Sequence, residues 1–136
     1  MKIKTIFLAL VMSISFVFAG CETNSTKQGR EMAMQDSTTF SVPVPEGIST
    51  KVVKNAILLS LGKREWIVEN QSDNSITASL NHRNVMGKIV ITFDEKVITI
   101  EDHSTDENGV PFVPVRWINN LKKDFSTNML TLSAMQ

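Results

Sequence analysis

Three stretches decide the fold: Ser75-Ile76-Thr77-Ala78-Ser79-Leu80-Asn81, Lys88-Ile89-Val90-Ile91-Thr92-Phe93-Asp94 and Val97-Ile98-Thr99-Ile100-Glu101-Asp102. In the first, Ile76, Ala78 and Leu80 alternate with Thr77, Ser79 and Asn81. Successive side chains of a strand point to opposite faces, so this is a strand with one apolar and one wet side. Ile89, Ile91 and Phe93 repeat the pattern in the second stretch, and Ile98 and Ile100 in the third. A shorter run, Trp66 to Asn70, precedes them. Gln71-Ser72-Asp73-Asn74 and Asp94-Glu95-Lys96 supply turn chemistry between the runs. Clean alternation with short connections predicts a four-stranded antiparallel meander, covered on one face and open to water on the other.

Outward from these strands, the period changes from two to that of a helix. Ser49 is a suitable N-cap, with Ile48 and Val53 placed as a hydrophobic staple. Val52, Ala56 and Leu59 form a stripe with Val53 and Ile57 beside it, and Gly62 is the expected stop. Lys63 and Arg64 suit the negative end of that helix. Beyond a polar loop from His103 to Gly109, Pro111 and Pro114 lead into a last helix. It carries Trp117, Leu121 and Phe125 four residues apart, with Ile118 and Met129 alongside and Lys122, Lys123 and Asp124 as its wet side. The expected class is α+β, the four-stranded meander with N- and C-terminal helices packed on one face as a two-layer sandwich. Ahead of it, Phe40, Val42 and Val44 alternate with Ser41, Pro43 and Pro45, and the prolines make this an extended or edge segment. The domain is expected to span residues 40–136.

The first twenty residues have another character. Lys2 and Lys4 precede an apolar run from Ile6 to Phe18, then Phe18-Ala19-Gly20-Cys21. A positive start and a 13-residue apolar stretch form a secretory signal, too short for a span of about 20 residues. The small residues before the cysteine resemble the lipobox of bacterial lipoproteins, with Phe18 where Leu is usual. That resemblance implies cleavage after Gly20 and acylation of Cys21. Several acyl chains anchor stably, at about 0.8 kcal/mol per buried methylene. Glu22 follows the cysteine, and in enteric-type sorting the absence of Asp there implies the outer membrane. Ordinary secretion, cut after Val17-Phe18-Ala19, is the alternative. Residues 21–39 are polar apart from Met32, Ala33 and Met34, and read as a flexible tether.

Composition limits the function classes. The 136 residues carry 14 basic and 14 acidic side chains. Loss of Lys2 and Lys4 with the signal leaves a slight acidic excess, which gives no reason to expect a nucleic-acid partner. One cysteine allows no internal disulfide. The fold must rest on its apolar core, and a domain of about 90 residues buries only about 60% of its surface.

Ala56, Gly62, Trp66-Ile67-Val68-Glu69, Ile76-Thr77-Ala78-Ser79-Leu80, Lys88 to Asp94 and Arg116-Trp117-Ile118-Asn119-Asn120-Leu121 are, taken together, similar to a group of small Gram-negative lipoproteins with an α-β4-α domain. The resemblance covers Val44 to Phe125 and rests on core positions, so it implies a fold and not a chemistry. The layout also resembles, in topology, the helix-grip domains of the lipoprotein C subunit of the outer-membrane β-barrel assembly machine. A shared fold does not carry function with it.

The chemical candidates are few. Asp102-His103-Ser104 has the residue types of a triad, but strand alternation would place Asp102 and Ser104 on one face and His103 on the other. His82 and His103 lie near strand ends, with Asp102 or Asp106 as further donors, yet no metal-ligand spacing is present. Asp102, Ser104, Asp106, Asn108 and Gly109 alternate like a calcium loop, but Val115 stands where a bidentate Glu is needed. No catalytic, metal or cofactor site is therefore expected. Trp66, Phe93, Trp117 and Phe125 either fill the core or line a groove. Lys63-Arg64 and Lys122-Lys123 are either solvated or face anionic headgroups. Thr77, Ser79, Asn81, Thr92 and Thr99 form a wet sheet face. The functional expectation is a non-enzymatic, lipid-tethered adaptor facing the periplasm and binding another envelope protein. The alternative is a module binding a small molecule or lipid between helices and sheet.

Overall fold

The structure, a computed structural model, describes residues 38–136. The signal sequence, Cys21 and nearly all of the tether lie outside the described residues. The domain is α+β, with six strands and two helices. In chain order these are β1 (Thr39–Pro43), α1 (Thr50–Lys63), β2 (Ile67–Gln71), β3 (Ser75–His82), β4 (Val85–Phe93), β5 (Val97–Asp102), β6 (Thr105–Asp106) and α2 (Val115–Ala134). All pairings are antiparallel, in the order β1-β5-β4-β3-β2, with β6 pairing on β4 beyond the end of β5.

The expected four-stranded meander is present as β2 to β5, but the sheet is larger. The proline-bearing segment is a true edge strand: Phe40 pairs with Ile100 and Val42 with Ile98. An edge position tolerates Pro43, which has no N–H to donate. β4 also starts earlier than the apolar alternation suggested. Val85 pairs with His82 across a two-residue turn at Arg83-Asn84, where Arg83 takes φ 54°.

One face of the sheet is dry. Phe40, Ile100, Ile91 and Ile76 lie in register across four strands, and Val42, Ile98 and Phe93 form the next row. With the helix residues Val52, Val53, Ala56, Ile57, Leu61, Ile118, Leu121, Phe125 and Met129, the buried members of these rows make one core cluster. The other face carries Ser41, Thr99, Thr92 and Ser75 in a row of hydroxyls.

The helices run antiparallel, and two polar links fix their register. Asn128 Nδ2 donates to the buried Ser60 Oγ at 2.8 Å, and Ser60 donates on to the carbonyl of Ala56 at 2.7 Å. One turn along, Arg64 Nε donates to Asp124 Oδ2 at 2.7 Å. Asp124, expected on the wet side, is buried and faces α1. Leu59, expected in the apolar stripe, is exposed, and Ser60 and Leu61 are buried instead. Ser49 caps α1 as expected, accepting from Val52 N at 3.4 Å.

Candidate functional site

Gly62 does not stop α1; the helix continues to Lys63. Its end is a Schellman arrangement built three residues later. Glu65 takes the left-handed conformation at φ 64°. Its N–H donates to Gly62 O at 3.1 Å, while Trp66 N–H reaches back to Leu61 O at 2.9 Å. That is the bonding pattern of a left-handed helix C-terminus, where glycine is the usual occupant because a Cβ is disfavoured. Here the position holds a glutamate.

This reversal turns Trp66 under the helix. Its indole is almost fully buried and meets Trp117 of α2 edge to face, with ring centroids 6.2 Å apart and planes at 86°. Both rings lie over Gly87 of β4. A Cβ there would sit 2.6 Å from Leu80 O, 3.2 Å from Trp117 Cζ3 and 3.3 Å from Trp66 Cη2. Only a residue without a side chain lets the two indoles approach the strands this closely. His82, at the end of β3, packs its ring on Trp117 at 6.2 Å and 69°.

Between these groups is a cleft of about 180 Å³, lined by Arg64, Glu65, Trp66, Leu80, His82, Trp117 and Asn120. The lining combines aromatic and aliphatic residues with an arginine, a glutamate, a histidine and an asparagine. Asp124 takes up Nε and Nη2 of Arg64 and also pairs with Lys63 Nζ at 3.4 Å. The hydrogen bond from Arg64 holds the Asp124 carboxyl below the usual carboxylate range, against the opposing effect of burial. The reciprocal bond raises the Arg64 guanidinium.

On its other side, Trp117 borders a second, apolar cleft of about 290 Å³ with Val85, Phe112, Val113, Pro114, Val115 and Arg116. Phe112 and Val115 are 48% and 45% exposed. Trp117 therefore belongs to two concave surfaces of different chemistry.

The remaining sequence candidates are placed apart from this site. Ser104 Oγ donates to Asp102 Oδ1 at 2.6 Å and Ser104 N to Oδ2 at 3.3 Å, with both residues buried. His103 is exposed and stands 3.8 Å from Glu101 on the opposite face, so the three do not converge. Burial pushes the Asp102 carboxyl up, partly offset by the bonds from Ser104. His82 and His103 lie toward the same end of the sheet but on opposite faces: His82 is on the helix side against Trp117, and His103 beside Glu101 on the open side. Among the described residues no group of three or more His, Cys, Asp or Glu is positioned to hold a metal ion. The oxygens of the calcium-like loop are spent on a turn: Asp106 Oδ1 accepts from Asn108 N at 2.8 Å and Val110 N at 2.9 Å. Phe93 and Phe125 are core residues, whereas Trp66 and Trp117 both pack and line a cleft.

Of the cleft residues, the sequence had marked Arg64, Trp66, His82 and Trp117, though not as one site. Leu80 reads only as an apolar strand position, Asn120 only as part of the last-helix resemblance, and Glu65 carries no signal. Glu65 has no sequence signal as a helix terminator, because its role there is normally a glycine's. No protein-family model matches the chain, and no curated protein matches it.

Proposed function

We propose that this chain is an outer-membrane lipoprotein, anchored by acyl chains on Cys21, whose domain serves as a periplasm-side adaptor for another envelope protein. Two layers suit that role: both helices cover one face of the sheet, and the partner is met at the end where β4, the loop before α2 and the first turn of α2 come together. The observation that carries the reading is the apolar surface around Trp117. Phe112 and Val115 stand exposed beside Val85 and the half-buried Trp117 around a shallow concavity. Exposed apolar residues scattered singly need no explanation, but a group gathered around an aromatic anchor has the composition of a protein-docking surface.

The test is site-specific photo-cross-linking from position 112 of the full lipidated chain in cells, with the captured proteins identified from isolated membranes. Reproducible capture of one envelope protein, lost when Val115→Ser is added, is the expected result. Absence of any captured partner, with the protein folded and membrane-bound, overturns the adaptor reading. The anchor is tested separately: Cys21→Ala is expected to move the protein from the membrane to the soluble fraction.

A specific observation also favours the ligand-binding alternative, since a cleft lined by Trp66 and Trp117 does lie between helix and sheet. At about 180 Å³ it is smaller than the roughly 300–1,000 Å³ of sites that enclose a whole drug-sized ligand.

A further inference from the structure

We propose that the cleft between Trp66 and Trp117 is a subsite for one sugar ring of a glycan. The reading is independent of the adaptor surface, which lies on the other side of Trp117, and either can fail alone.

Four observations lead to this ligand class. The first is size: about 180 Å³ suits a single ring and not a lipid tail or an extended peptide. The second is the mixture of an indole surface with polar walls. A pyranose has a face of C–H groups that packs on an aromatic ring and a rim of hydroxyls that both donate and accept. Trp117 supplies the ring, Arg64 supplies donors, Glu65 supplies acceptors, and Asn120 and His82 supply both. The third is charge. Asp124 already binds Arg64 through Nε and Nη2, so Arg64 brings N–H groups to the cleft more than net positive charge. Glu65 adds a negative charge. With the guanidinium already paired and a carboxylate-bearing residue beside it, this is a poor receptor for an anion. A neutral polyol fits it.

The fourth is Glu65 itself. A left-handed backbone disfavours any residue with a Cβ, by about 1–2 kcal/mol. Strain of this kind gathers where a side chain is used. At φ 64° the chain end of α1 would be better served by glycine for folding alone, yet the residue there is a glutamate that lines the cleft.

The chain's only two tryptophans both line the cleft, and it has no tyrosine, so intrinsic emission reports the site directly. The experiment titrates the full lipidated chain, in zwitterionic-detergent micelles, with glucose, galactose, N-acetylglucosamine and a soluble N-acetylglucosamine oligomer. A saturable emission shift with at least one sugar is expected, stronger for the oligomer. Glu65→Gly, which relieves the backbone, and Asn120→Ala are each expected to weaken it. The Glu65→Gly loss should be about tenfold, that of one charge-assisted hydrogen bond. No shift with any of the four sugars overturns the proposal. So does a shift that both variants keep unchanged, or one produced only by acetate or by a tryptophan-binding peptide.

Discussion

Arg64 Nε and Asp124 Oδ2, 2.7 Å apart, join the C-terminal end of α1 to the middle of α2, and the carboxylate is nearly buried while the guanidinium is over a third exposed. The Asp124 carboxyl is held low in the folded protein, first by Arg64, then by Lys63. A depressed folded pKa contributes stability that is fully present above the unfolded value, about 3.9, and is lost as pH falls through the folded one. Asp124→Asn is therefore expected to lower stability at neutral pH, with the gap closing in acid. Urea denaturation of both proteins across that range measures it.

Asp102 behaves in the opposite sense. It faces the dry side of the sheet across from Ile89, and burial raises its carboxyl. A raised folded pKa favours the folded state fully below the unfolded value, and that contribution is lost as pH rises through the folded one. Asp102→Asn keeps an oxygen to accept from Ser104 without a buried charge. The variant is expected to match or exceed the parent at neutral pH, and the difference should vanish as pH falls through the raised pKa. Paired denaturation curves at neutral and acid pH check it.

Replacing Glu65 by glycine removes the Cβ from a left-handed residue, offset in part by the greater freedom of glycine in the unfolded chain. A net gain of about 0.5–1 kcal/mol is expected. For a domain of this size that raises Tm by a few degrees, readable by circular dichroism. A fall in Tm would show that the carboxylate stabilises the fold and does not merely line the cleft.

Gly87→Ala places a methyl 2.6 Å from a backbone carbonyl, which cannot move as a flexible side-chain tip would. The strands or the indoles must shift, at about 1–3 kcal/mol. Chemical denaturation gives the cost, and tryptophan emission shows whether Trp66 and Trp117 have separated.

Much of this fold is legible in short windows. Ile76-Thr77-Ala78-Ser79-Leu80 declares its dry side by alternation alone, and Ser49 declares the start of α1. What escapes is decided at a distance. Phe40 and Val42 read as an edge, but their partners Ile100 and Ile98 are far along the chain. Leu59 and Leu61 are equally apolar, yet the packed domain leaves Leu59 exposed and buries Leu61. Asp124 sits beside Lys122 and Lys123 in a polar run, and its burial depends on an arginine from another helix. The site fails to declare itself for the same reason. Arg64, Glu65 and Trp66 are neighbours in sequence, but Leu80, His82, Trp117 and Asn120 join them only through the sheet and helix packing. The left-handed Glu65 also displaces the stop from Gly62, the residue that local preference would choose.

The position of β1 has a consequence in time. β2 to β5 pair with their sequence neighbours, so each hairpin closes a short loop. β1 pairs with a strand about 60 residues later, and the entropy of closing that loop must be met before its bonds form. The segment that leaves the ribosome before the rest of the domain thus waits for a late partner, as α1 waits for α2. Held at one edge by a single neighbour, it shares with β2 at the other edge the expectation that its amides exchange with solvent before those of the central strands.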